Sequence, residues 1–321
     1  MAGYPWVYRL GLVVAGLTLL LVIPLNAVPV QASADESTVA ERIGRDLQLI
    51  HAGEWEKLPP LDMGRLWARL ASDYEEAGEF PKSESAYNHA IELLGKPPNA
   101  ILEYAALLDN LGLLYLVEGN FDAAETCRLR SYALREKTGD GLAIARGKWM
   151  LAEVDLARSR FKEAQKKASE AYAAMVSLND PFVGERVSTL ILLSNASCKT
   201  NRCDLGVESG REAKRQALAE LPADHLLLGE ALIALGYAEW KARLNNDAGQ
   251  DLQEGVRILR KRTMPGHAHL LIALKVYNDY LKDMHRAAEA DEIAKEFKEL
   301  RSKPVTACVG CTISVYGLVG R

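Results

Sequence analysis

The sequence predicts an all-α fold, a stack of about six helical hairpins, and three observations carry that prediction. The first is composition: of 321 residues, 49% are hydrophobic, 26% charged and only 7% aromatic, with Ala and Leu abundant between charged residues. Such a mixture favours helix over sheet. The second is a sixfold register that starts from Leu70, Leu111, Leu151, Leu193, Leu235 and Tyr277, at spacings of 41, 40, 42, 42 and 42. The third is punctuation, since "GKPPNA", "KTGDG", "LNDPFVG", "LPADH" and "TMPGHA" interrupt the periodic segments with turn-forming residues.

The first 34 residues stand apart. "MAGYPWVYR" carries one basic side chain and precedes the apolar run "LGLVVAGLTLLLVIPL", after which Ala32, Ser33 and Ala34 supply a small-residue cleavage site. This is the pattern of an export signal, with an uncleaved anchor as the alternative, and either places the remainder outside the cytoplasm. Without that segment the chain carries 38 basic against 43 acidic residues, a net of −5, and no basic stripe stands out. A nucleic-acid partner is therefore not expected. Residues 35–63 read as an N-terminal capping helix.

From residue 64 to 303 the register rules. The residue after each starting position is Ala71, Gly112, Ala152, Ser194, Gly236 or Asn278, small in all but the last. Thirteen residues beyond each start come Ser83, Ala124, Ala164, Gly206, Ala248 and Ala290, and seven further on Ala90, Ser131, Ala171, Ala213, Gly255 and Phe297. Two antiparallel helices joined by a short turn approach closely only where side chains are small at their crossing. Tyr74 with Phe80, Tyr115 with Phe121, and Phe161 plug the space between neighbouring hairpins, and Gly78 and Gly119 end first helices in the left-handed conformation.

On Trp67, Leu70, Ala71, Tyr74, Gly78, Phe80, Tyr87 and Ala90 the first copy resembles the tetratricopeptide repeat, and the longer period resembles the variant found in kinesin light chain. The signature decays toward the C-terminus, where Cys203 and Asn245 replace the Phe and Ser197 and Glu239 replace the Tyr. The resemblance implies a right-handed superhelix whose first helices line a concave face where partners lie. Its inward positions here are Arg65, Glu75, Leu113, Leu116, Trp149, Glu153, Leu156, Ile191, Asn195, Tyr237, Trp240, Lys275 and Lys282. The middle of that set is apolar, as an extended or helical peptide with a few large hydrophobic anchors would require. A groove centred on Trp149, Tyr237 and Trp240 is expected, the alternative being that these rings pack against a neighbouring repeat. The family's carboxylate clamp would fall on Ala68, Ser72, Asn110, Arg146 and Met150, so it is largely missing.

Five cysteines in an exported chain raise the question of disulfides. Cys198 and Cys203 end one helix and begin the next in the fourth repeat, where a bridge can replace the missing aromatic plugs. Cys127 reads as a small buried apolar residue. Residues 304–321 leave the helical pattern: Thr312, Ser314 and Tyr316 alternate with Ile313 and Val315 as in a strand, and Cys308 and Cys311 form a C-x-x-C. An internal disulfide, a disordered end or a thiol-redox pair all fit that motif. The histidines are scattered, and neither a phosphate-binding Gly loop nor a nucleophile elbow is present. The expected function is thus a non-enzymatic interaction scaffold of the cell envelope that uses no metal or cofactor and binds a protein segment in its groove. The alternatives are thiol-redox chemistry at Cys308 and Cys311, and a self-associating structural component.

Overall fold

The computed structural model describes residues 38–95, 100–263 and 266–302. Residues 1–34, read from the sequence as an export signal, and the C-terminal tail with Cys308 and Cys311 lie outside the described residues. Among those residues the chain forms thirteen α-helices. The first, α1 (Val39–Glu56), opens with a capping box: the Thr38 hydroxyl accepts from the Glu41 N–H while the Glu41 carboxylate accepts from the Thr38 N–H. Six antiparallel pairs follow: α2 (Pro60–Glu76) with α3 (Phe80–Leu94), α4 (Ile101–Glu118) with α5 (Phe121–Thr138), α6 (Gly141–Ala157) with α7 (Phe161–Ser177), α8 (Val183–Lys199) with α9 (Cys203–Glu220), α10 (Leu226–Lys241) with α11 (Asn245–Arg262), and α12 (Ala268–Asp283) with α13 (Ala287–Arg301). The architecture is an all-α solenoid of six hairpins. The helix α1 packs on α2, as a cap would. The first repeat helix begins at Pro60, earlier than the position 64 read from the sequence, because a proline in the first turn forgoes only an amide that has no helical partner.

The small residues do what their spacing predicts. Ala71, Ser83, Ala124, Ala152, Ala164, Ser194 and Ala248 are fully buried where the two helices of a hairpin cross. Where the pair is not purely apolar, the side chain spans the crossing: Ser83 Oγ donates to the Ala71 carbonyl at 2.9 Å, Ser194 Oγ to that of Gly206 at 2.8 Å and Asn278 Nδ2 to that of Ala290 at 2.5 Å. Asn278 therefore replaces a small residue without opening the crossing, its amide supplying the contact.

Each turn between the two helices of a hairpin contains one left-handed residue at the same register. It is Gly78 and Gly119 in the first two hairpins, at φ 74° and 77°, then Ser159, Asn201, Arg243 and His285, at φ 60°, 61°, 66° and 58°. Left-handed backbone costs a side-chain-bearing residue about 1–2 kcal/mol, so the last turns carry a strain that the first two avoid. His285→Gly is expected to stabilise the chain by about 1 kcal/mol, read as a higher urea midpoint at unchanged slope.

First helices of successive hairpins touch one another from α4 through α6, α8 and α10 to α12. Second helices are not packed on each other in the same way; each instead meets the first helix of the next hairpin. The array consequently curves with the first helices inside. Burial follows the curvature, and every residue from Val187 to Cys198 in α8 and from Leu227 to Trp240 in α10 is buried.

Candidate functional site

The inner layer holds the residues that the sequence assigned to a binding groove, but it packs most of them shut. Ile191 and Asn195 have no accessible surface. Leu116, Leu156 and Glu153 are buried as well, and only Leu113 is half-buried. Trp149 (9% exposed), Tyr237 (7%) and Trp240 (8%) retain an edge. Trp149 packs against Leu192, Leu193 and Ala196 of the next hairpin. Trp240 meets Tyr280 edge-on at 6.1 Å and donates its indole N–H to Asp283 at 2.8 Å. Packing against a neighbouring repeat, the alternative that the sequence left open for these rings, is thus present at Trp149 and Trp240, each of which keeps only an edge accessible. Asn195, within the Asn-Ala-Ser sequon, is inaccessible to a glycan.

What remains accessible on the inner layer is its margin. Along α12, Leu271, Lys275 and Asp279 recur at helical spacing on its accessible face, and Lys282 beyond them is exposed. At the last turns of α8 and α10 stand Lys199 and Lys241, beside Phe161, Tyr237 and Trp240. Arg146, one of the positions corresponding to the family's clamp, is engaged by Glu185 and Asp180 and lies 4.9 Å from the Phe182 ring.

A second feature escaped the sequence entirely. Arg128 and Arg135 of α5 are buried, with Asp109 of α4 and Glu153 of α6. Arg135 donates to Asp109 at 2.6 Å, and Arg128 reaches Asp109 at 3.4 Å and Glu153 at 3.3 Å. Two glycines make room for these long side chains. A Cβ on Gly112 would stand 3.2 Å from Arg128 Nε, and one on Gly147 would stand 3.1 Å from Arg135 Cδ and 2.8 Å from Tyr132. Gly112 thus admits a guanidinium stem as well as permitting a helix crossing. The cluster ties the second hairpin to the third through charge-assisted hydrogen bonds.

Glu75, expected on the inner face, is also buried and accepts a hydrogen bond from Tyr87 Oη at 3.1 Å. Burial pushes its carboxyl from 4.5 up to about 7, and the Tyr87 bond offsets part of that. Between pH 4.5 and about 7 the folded chain keeps a proton that the unfolded chain releases, so this group's contribution falls as pH rises and is flat above. His267, drawn down from 6.5 to about 4 by burial and then by His269, acts in the opposite sense between about pH 4 and 6.5. The difference between the parent chain and Glu75→Gln isolates the carboxyl: the Tm of the variant is expected to gain on the parent as pH rises from 4.5 to 7.

Cys198 and Cys203 form a disulfide across the α8–α9 turn, with Cα atoms 4.2 Å apart. Cys127 is a free, buried thiol. No three His, Cys, Asp or Glu side chains among the described residues are grouped as a metal site requires. No described helix is long and apolar enough to cross a membrane.

Neither a family model nor a curated protein matches the chain. Solved structures do. The apo form of RapI is 12% identical over 82% of this chain and 97% of its own, with a TM-score of 0.66. Aspartyl phosphate phosphatase F from Bacillus subtilis is 11% identical over 83% and 68%, with a TM-score of 0.65. A Rap protein complexed with Competence and Sporulation Factor is 16% identical over 82% and 72%, with a TM-score of 0.51. The chain has a tetratricopeptide-like repeat fold. In this TPR-like array the repeat keeps its register even where its signature residues are lost. Cys203, Asn245 and Ala287 open their helices at the positions held by Phe80, Phe121 and Phe161 in the first three hairpins.

Proposed function

We propose that the chain is a non-catalytic interaction scaffold of the cell envelope, which holds a segment of a partner protein against the accessible margin of its inner helices. The observation that carries this reading is the serial contact of first helices, α4 through α12, which sets one curved inner strip across successive hairpins. A strip of that kind offers a linear partner several contacts whose energies add without further folding cost, since the scaffold is already ordered. The Rap protein solved with Competence and Sporulation Factor supports the idea of a bound partner. Export is supported by the apolar run and small-residue site at the N-terminus and by the Cys198–Cys203 bridge, which needs an oxidising compartment to persist.

A photocrosslinking residue at Leu113 or Lys282 on the inner side, set against one at Leu218 on α9, tests the reading in the native host. The expected result is a discrete adduct of the same mass from both inner positions and none from Leu218. Equal labelling from all three, or none from any, overturns it.

A further inference from the structure

The turn between α7 and α8 holds two large apolar side chains in water. Leu178 is 47% exposed and Phe182 37%, and Pro181 beside them is exposed as well. The turn itself is tied down. Asp180 is buried; its carboxylate accepts the Phe182 N–H at 3.0 Å and faces Arg146 at 3.5 Å, while Arg186 donates to its backbone carbonyl. Arg146 also lies 4.9 Å from the Phe182 ring, and Leu178 rests on the start of α6, where a Cβ on Gly141 would come within 2.7 Å of its Cδ1. The joints before and after this one expose Gly139 with Asp140, and Pro222 with Ala223. Joining two hairpins therefore does not require large apolar side chains at this place. A pair of them, held toward solvent by two arginines, has the form of an anchor that another segment covers.

The course of the chain decides between occupants. On the edge of the stack that carries this turn, α7, α9, α11 and α13 end and α8, α10 and α12 begin. Residues 303–321 continue from the end of α13 and so start at that edge, whereas the residues before α1 join the opposite one. From α13 to α8 there are three packed steps, α13 on α12, α12 on α10 and α10 on α8. At about 10 Å each, these put the turn within about 30 Å of Ser302. Val315 follows Ser302 by 13 residues, an extended reach of about 43 Å at about 3.3 Å per residue. Residues 315–319 read "VYGLV", apolar apart from one phenol hydroxyl. A segment tethered within its span meets a site at an effective concentration of about millimolar, enough for a few apolar contacts to fill it. We propose that residues 315–319 fold back along this edge and cover Leu178 and Phe182. The contact lies away from the inner strip and stands independently of the partner-binding reading.

The test places a photocrosslinking residue at Phe182 of the purified full chain, and in a separate sample at the exposed Leu129 of α5, and maps the adducts by peptide mass spectrometry. Phe182 is expected to give an adduct within one chain to residues 315–319 at every protein concentration, and Leu129 none to them. A second measurement needs no crosslinker. Chymotrypsin cleavage after Tyr316 is expected to be about fivefold slower or more in the parent than in L178S/F182S, because a covered segment is cut only while it is released. Both substitutions replace exposed side chains, and a melting curve checks that the fold persists. Should that variant melt early, Y316S/L318S, which alters nothing in the hairpins, is expected to abolish the Phe182 adduct to 315–319. An adduct joining two chains assigns the turn to a second copy and overturns the proposal. An adduct that falls elsewhere, no adduct, equal cleavage of parent and variant, or an adduct to 315–319 that survives Y316S/L318S overturns it too.

Discussion

Asp109→Ala is expected to cost about 3–5 kcal/mol of stability, the penalty for leaving buried charge uncompensated. Its carboxylate faces both Arg135 at 2.6 Å and Arg128 at 3.4 Å, and all three side chains are inaccessible to water. Once it is removed, Glu153 still attends Arg128, but no other carboxylate is within ion-pair reach of Arg135 among the described residues. The loss is expected to show in urea denaturation as a lower midpoint. Replacing all four partners together, as Asp109→Leu, Arg128→Met, Arg135→Met and Glu153→Leu, is expected to recover most of the stability, since a packed apolar cluster pays no desolvation penalty. If the single variant proves neutral, the cluster is hydrated in solution and its structural role is lost.

Gly236→Val is expected to exceed the roughly 1–3 kcal/mol typical of core overpacking. A Cβ at Gly236 would stand 2.7 Å from Leu252 Cγ and 3.1 Å from the Ala248 carbonyl oxygen, so part of the clash is with backbone that cannot turn away. Because each hairpin is stabilised mainly by its neighbours, the damage is expected to spread from the α10–α11 pair toward the C-terminus. Hydrogen exchange is expected to rise across 226–301 while α2 to α5 stay protected. Gly44→Ala in α1 is the contrast: nothing lies within 4 Å of its added Cβ, and it is expected to gain about 1 kcal/mol from helix propensity alone.

The hairpins were legible because their signal is local. The residues that meet at each crossing, such as Ser83 with Ala71 or Ser194 with Gly206, are 12 apart in the chain, so one short interval reports one contact. The nearness of Cys198 to Cys203 was legible for the same reason, the two flanking a single turn. The buried arginines were not. Arg135 reaches Asp109 across 26 residues and Arg128 reaches Glu153 across 25, and in the sequence both look like charges on a solvated helix face. The one available hint was the pair of glycines, Gly112 and Gly147, in the middle of first helices, where a side chain from elsewhere needed space. Lys199 and Lys241 also left a trace, since they recur at one register; their meeting over Tyr237 did not.

By itself the sequence determined the helical class, the number of hairpins, the positions at which each helix pair crosses, and the turn at which each reverses. Those properties depend on residues a few turns apart, whose geometry the α-helix dictates. Tertiary structure alone decided how deeply Ile191, Asn195 and Trp240 are buried against other helices, and that Arg128 and Arg135 are buried in ion pairs. Curvature is the physical reason. It accumulates from small rotations between successive hairpins and determines whether inner helices stand apart or close up, and no interval within a single repeat records that sum.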